Sequence, residues 1–93
     1  MAAVLIAQNL DGDMRYVYLL RSQSFPDKRY IGSAADFQRR VKHHNSGKSP
    51  HTAGFRPWKA VVVIRFEDDG KARRFERYLK SGSGHAFANR HLW

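Results

Sequence analysis

The 93-residue chain has no cysteine. Disulfide frameworks and thiolate zinc sites are therefore excluded, and cysteine usage leaves the redox compartment open. Long apolar runs are also missing. The longest near the start, Ala2 to Ala7, is preceded by no basic residue. It is far too short to span a bilayer and does not read as a signal peptide, so the expectation is a cytoplasmic protein with no membrane partner. Proline is sparse, and Pro26, Pro50 and Pro57 all fall in segments of turn or loop composition. Acidic residues are scarce too, with 8 Asp+Glu against 17 Lys+Arg and a formal net charge of +9. On so small a domain this is a strong positive field, and its natural partners are polyanions, nucleic acid first. The plainer reading of such charge is solubility. An anionic membrane surface fits less well, because the aromatics in the basic helical stretches are needed for a core.

What is present points to one folded domain. The composition is 42% hydrophobic and 13% aromatic, too apolar for a disordered tail, although a chain this short buries only a modest core. Residues 1–14 read as an appendage, with turn composition over Asn9–Asp13 and with Met14 as an alternative start. The domain proper is residues 15–93. Tyr16–Leu20 reads as a strand. Pro26-Asp27 marks a turn, and Arg29–Ser33 forms a second strand, giving a hairpin with a long loop. Asp36–Asn45 reads as a helix on the recurrence of Phe37, Val41 and His44, capped by Ser33 or Asp36 and stopped by Asn45-Ser46-Gly47. Lys48–Trp58 reads as a loop. Ala60–Phe66 is the most apolar strand and is expected at the centre of the sheet. A helix over Lys71–Lys80 follows an acidic turn. Ser81-Gly82-Ser83-Gly84 breaks it, and His85–His91 forms a short closing helix. The predicted fold class is α+β, ordered β-β-α-β-α-α, with helices on a three-stranded, mostly antiparallel sheet.

Four side-chain types carry candidate chemistry. Ala72, Phe75, Glu76 and Leu79 share one helical stripe, which puts a carboxylate at the edge of a core face. Such a group needs compensation, and from the residues alone an ion pair is favoured over a divalent metal. The remaining carboxylates form no spaced cluster for a two-metal site. Asp68 and Asp69 read as capping and dipole complementation. One Mg²⁺ on a single carboxylate, completed by waters and a substrate phosphate, is chemically reasonable. Arg40 and His44 stand one turn apart on the same side of their helix. A guanidinium in the place of Arg40 can grip phosphate oxygens and stabilise charge developing on phosphorus. His44, nearly over Phe37, reads equally as a half-buried packed histidine or a catalytic one. Arg39 and His43 read as surface. Tyr16 and Tyr18 share one strand face. A phenol titrates near pH 10, so from spacing alone packing is the better reading for Tyr18 and Tyr30.

Taken in order, these residues resemble the GIY-YIG nuclease family. Val17-Tyr18 stands where the family has Ile-Tyr, and Tyr30-Ile31-Gly32 matches the second motif, with eleven residues between the two tyrosines. Asp36–Asn45 resembles the family helix that carries arginine at Arg40 and histidine at His44. Thr52 and Pro57-Trp58 resemble the segment entering the third strand. Ala72, Phe75-Glu76 and Leu79-Lys80 resemble the helix that bears the metal-binding glutamate. The first family glycine is replaced by Tyr16, and Asn89 is a candidate counterpart of a C-terminal asparagine. The size is similar to small bacterial single-domain members and to the nuclease domain of the excision-repair excinuclease.

The resemblance implies a metal-dependent endonuclease that cuts DNA to 5′-phosphate and 3′-hydroxyl ends in repair or recombination. Glu76 would hold one Mg²⁺ or Mn²⁺ per site. Tyr18 would help activate water, Tyr30 would position it or the phosphate, Arg40 would stabilise the transition state, and His44 would assist proton transfer or phosphate contact. The implied partners are branched or damaged DNA and a repair protein. The alternatives are a noncatalytic nucleic-acid-binding module on the same fold and a structural subunit docked through its apolar N-terminal tail.

Overall fold

The computed structural model describes residues 13–93. The apolar run Ala2–Ala7 and the turn over Asn9–Gly12 lie outside the described residues. Three strands, β1 (Arg15–Ser22), β2 (Arg29–Ala34) and β3 (Trp58–Phe66), form an antiparallel sheet in the order β2-β1-β3. Helices α1 (Phe37–Asn45) and α2 (Pro50–Ala53) follow β2, and α3 (Asp69–Leu79) and α4 (Gly82–His91) follow β3. The chain is α+β, as expected.

Alternation along β1 feeds two cores. Val17 and Leu19 face α3 and α4 and pack with Ala72, Leu79 and Ala88. Tyr18 and Leu20 face α1 and α2 and pack with Ala34, Trp58 and the partly buried Phe37 and Val41. All four β1 residues are fully buried, and this strand, not β3, is the centre of the sheet. Position in the sheet is set by pairing on both sides. β3 pairs only with β1 and leaves Val61 and Val63 exposed at the edge, despite being the most apolar stretch. A bulge opposite Leu19 and Leu20 adds Val61 to β3. It carries the strand from the Trp58 and Ala60 core to the Val62 and Phe66 core.

The helix ends follow local chemistry. The Asp36 carboxylate accepts from the Arg39 N–H at 3.0 Å and caps α1, so Asp36 rather than Ser33 is the cap. Gly47, at φ 84°, takes the left-handed turn just after α1. Asp68 caps α3 through the Lys71 N–H at 2.7 Å, and Asp69 sits in the first turn. Two segments differ from expectation. The loop after α1 contains α2, a single turn with proline at its start. The serine-glycine run starts α4 instead of only ending α3: Ser81 is the N-cap, and Gly84 lies against the Tyr78 carbonyl, where a side chain would collide with it.

Candidate active site

The site forms where β2 edges the sheet. Tyr18 of β1 and Tyr30 of β2 point to the α1 face and stack, with ring centroids 6.2 Å apart. Gly32 is the partner of Tyr18 across the strand pair. A methyl group there would meet the Tyr18 Oη at 2.7 Å and the Tyr30 Cε2 at 2.8 Å. The glycine of the Tyr-Ile-Gly motif is thus a matter of space: the two rings occupy the volume a side chain would need.

His44, 1% exposed, closes the pocket from α1. Its ring centroid lies 4.7 Å from that of Tyr30, its Nε2 lies 3.3 Å from the Tyr18 Oη, and its Nδ1 lies 3.0 Å from the Thr52 Oγ1. Burial, then the charges of Arg40 and His43, push its pKa below 6.5, so the ring is neutral at neutral pH. Burial is also the largest influence on the Tyr18 phenol, and with the nearby Tyr30 it pushes the pKa up to about 12 against the lowering effect of Arg40. Arg40 itself is exposed. It lines a cleft of about 470 Å³ with Arg15, Ser33, Asp36, Arg39 and His43. Among those lining groups the cations outnumber the one carboxylate, which suits a phosphate backbone.

Glu76 reaches the same edge from the other face of the sheet, on α3. Its Oε1 accepts from the Ser33 Oγ at 2.6 Å, and its Oε2 pairs with the Lys80 Nζ at 3.0 Å. Burial works against its ionisation. The hydrogen bonds from Ser33 and Lys80 and the charges of Lys80 and Arg15 outweigh burial and hold the pKa below the ordinary 4.5. The ion pair expected of a carboxylate in this stripe is therefore present. Glu76 makes no hydrogen bond to the tyrosines among the described residues, although its charge is felt at Tyr18. The structure thus brings Tyr18, Tyr30, Arg40 and His44 together on one face, with Glu76 joined to them through Ser33 on β2. Asn89 stands apart and accepts from the Arg29 Nη1 at 2.7 Å.

Three supporting residues were not legible as site residues. Arg15 donates to the Ser33 Oγ at 2.8 Å and pairs with Asp69 at 3.3 Å, so Arg15 and Ser33 together orient the Glu76 carboxylate. Ser33 follows Gly32 directly and, by strand alternation, faces the opposite side, a signal available in the sequence. Thr52 stood out only as part of the family resemblance, with nothing local to mark its contact with His44.

A divalent cation fits this donor set in one manner. Among the described residues, no group of three or more His, Cys, Asp or Glu side chains could cage a metal. Glu76 offers ionised, hard oxygen with a side chain 22% exposed. One carboxylate with waters and substrate oxygens suits Mg²⁺ or Mn²⁺ and does not suit a closed zinc site.

A sheet flanked by helices on both faces, with paired tyrosines, an arginine and a glutamate at one edge, defines a nuclease-type catalytic domain. Residues 14–89 match the model of the GIY-YIG catalytic domain, and the chain belongs to the GIY-YIG family. It is 38% identical over 87 residues to the structure-specific endonuclease subunit SLX1 of Debaryomyces hansenii, a match covering 86% of this chain and 24% of that protein. The chain thus spans about a quarter of the length of the SLX1 proteins it matches. It is also 34% identical over 68 residues to the UPF0213 protein CPE1444 of Clostridium perfringens, covering 72% of this chain and 71% of the relative. The solution structure of the UPF0213 protein BH0048 from Bacillus halodurans superposes with a TM-score of 0.50 at 30% identity, covering 83% of each chain. No helix among the described residues is long and apolar enough to cross a membrane.

Proposed function

We propose that this domain is a divalent-metal-dependent endonuclease that hydrolyses DNA phosphodiester bonds to 5′-phosphate and 3′-hydroxyl ends and serves DNA repair or recombination. The observation that carries this reading is a convergence at one sheet edge. A buried phenol hydrogen-bonded to a neutral imidazole, Tyr18 with His44, lies beside the exposed Arg40, with the ionised Glu76 across the edge. A module that only binds DNA needs the positive charge but has no use for a carboxylate facing a phosphate. The word "structure-specific" in the names of the SLX1 relatives supports branched DNA as the substrate, and "subunit" supports a repair-protein partner.

Each residue has a role that its surroundings suit. Arg40, in the cationic cleft, grips the scissile phosphate and stabilises the charge that builds on its oxygens as water attacks in line. Tyr30, half-buried, is the outward phenol that positions the water or the phosphate. Tyr18 is screened from solvent and has a pKa of about 12, so it works through a relay: the proton shed by the attacking water reaches it by way of the half-buried Tyr30 hydroxyl as its own proton passes to the His44 Nε2. The bond from phosphorus to the 3′ oxygen breaks, and that oxygen takes a proton from solvent. Glu76, held by Ser33 and Lys80, would bind one Mg²⁺ or Mn²⁺, which supplies positive charge to the departing oxygen when bound.

Cleavage of end-labelled branched, flapped and plain duplex DNA, with and without Mg²⁺ or Mn²⁺, tests this reading beside Glu76→Ala. Metal-dependent product is expected, falling on the order of 10²–10³-fold in the variant with DNA binding retained. Salt-sensitive binding without cleavage by the wild type would instead support the noncatalytic module. Unfolding of Glu76→Ala would mark the pair with Lys80 as structural.

A further inference from the structure

Thr52 has no part in the roles above, yet it is 1% exposed and its hydroxyl meets a buried ring nitrogen. It rides on α2, and its place is fixed from several directions. Its backbone N–H donates to the Ser49 carbonyl at 3.2 Å, and its own carbonyl accepts from the Trp58 Nε1 at 2.9 Å and from the Phe55 N–H at 3.1 Å. Trp58 is held in turn by Asn45, whose side chain both donates to its carbonyl and accepts from its N–H. The end of α1, the turn of α2 and the start of β3 thus lock one hydroxyl against one imidazole.

The hydrogens in this chain run in a definite direction. The Tyr18 phenol is fully buried, and a buried O–H needs an acceptor. Arg40 also hydrogen-bonds the phenol, but a guanidinium only donates; among the described residues, the His44 Nε2 is the acceptor in reach of the phenol proton. A neutral imidazole carries one N–H, so an accepting Nε2 leaves the hydrogen on Nδ1, aimed at the Thr52 Oγ1. The Thr52 oxygen must then accept, and its own hydrogen turns to the Ser49 carbonyl 3.5 Å away. The opposite tautomer leaves the fully buried Tyr18 proton without an acceptor, which costs more than the long Thr52–Ser49 bond. We infer that Thr52 is a positioning residue: its hydroxyl accepts the Nδ1–H of His44 and so fixes the tautomer whose Nε2 takes the Tyr18 proton. The consequence for turnover rests on the function proposed above; the tautomer itself does not.

Long-range ¹H–¹⁵N NMR of the histidine rings tests the assignment at neutral pH, without DNA or metal, on the wild type, Thr52→Val and Thr52→Ser. The wild type is expected to show His44 protonated at Nδ1. Valine keeps the shape and removes the acceptor, so the population should move toward the Nε2–H form, and serine should restore the wild-type pattern. Single-turnover cleavage is then expected to fall on the order of 10–100-fold in Thr52→Val with KM unchanged, as for other partners that orient a working histidine, and to recover in Thr52→Ser. An Nε2–H signal in the wild type, which needs no variant to fold, would overturn the inference. So would a Thr52→Val protein that keeps the wild-type tautomer, or one that changes tautomer without losing turnover. Absence of cleavage in every protein, the wild type included, would count against the nuclease reading and leave the NMR result to decide the tautomer.

Discussion

Replacing Gly32 with alanine isolates the packing that holds the two tyrosines. The added methyl would sit 2.7 Å from the Tyr18 Oη, 2.8 Å from the Tyr30 Cε2 and 2.9 Å from the Tyr18 Cζ. Ordinary carbon contacts begin near 3.5 Å, so something must move. Tyr18 is fully buried and cannot swing into solvent. Overpacking of this kind costs about 1–3 kcal/mol, and each kcal/mol lowers the melting temperature of a domain this size by about 4–8 °C. A drop of at least about 4 °C is therefore expected. The displaced phenol also loses its 3.3 Å approach to His44. Misplacement of a reacting group by about 1 Å can cost on the order of 10²-fold in rate, so cleavage should fall further than stability. Gly54→Ala is the control, since nothing lies within 4 Å of the methyl it would add. Thermal unfolding followed by circular dichroism, beside single-turnover cleavage, reads both effects. A Gly32→Ala protein that melts and cuts like Gly54→Ala would refute the steric reading of the motif glycine.

Two further outcomes follow from the electrostatics and the support of Glu76. The folded protein holds His44 below its ordinary 6.5 and Glu76 below 4.5; the unfolded chain therefore binds more protons, and stability falls with pH, first below about 6.5 through His44 and then below about 4.5 through Glu76. Thermal unfolding across that range should show the first slope in the wild type and lose it in His44→Gln; an unchanged slope would place its origin elsewhere. Ser33→Ala removes the hydrogen bond to the Glu76 Oε1 and strands the Arg15 Nε, so stability should drop by about 1–3 kcal/mol in urea titrations, and the metal concentration needed for half-maximal cleavage should rise. A variant with wild-type metal dependence would show that Ser33 does not orient the carboxylate.

The parts of this molecule that could be read from its sequence are those with a local signature. Strand alternation placed Tyr18 opposite Val17, helical spacing put Arg40 and His44 on one side of α1, and the stripe of Ala72, Phe75, Glu76 and Leu79 gave the inner face of α3. The order of the strands was not legible, because it depends on pairing between distant segments. A run such as Ala60–Ile64 looks central by hydropathy, yet the strand that is buried on both faces is the one with paired neighbours on both sides. Helix α2 is one turn long, shorter than any periodic pattern can reveal. The run Ser81–Gly84 does end α3, but the start of α4 within it was not read, because serine is also an N-cap and glycine also permits close approach of backbones. In the site, the residues expected to meet phosphate or metal were visible by type. The orienting roles of Arg15, Ser33 and Thr52 were hidden, even though Thr52 stood in the family resemblance, since those roles come from contacts 18, 43 and 8 residues away along the chain.

The central claim is that this edge of the sheet performs chemistry on a phosphate rather than only docking it, and Arg40→Ala tests that claim most directly. Arg40 is exposed and belongs to neither core, so its loss should leave the fold intact. Turnover and DNA affinity, measured on the same branched substrate, separate the two roles. The account predicts a fall in turnover on the order of 10²-fold or more, with affinity changed far less because other cations still line the cleft. Equal losses of turnover and affinity would contradict it and leave Arg40 as a phosphate clamp.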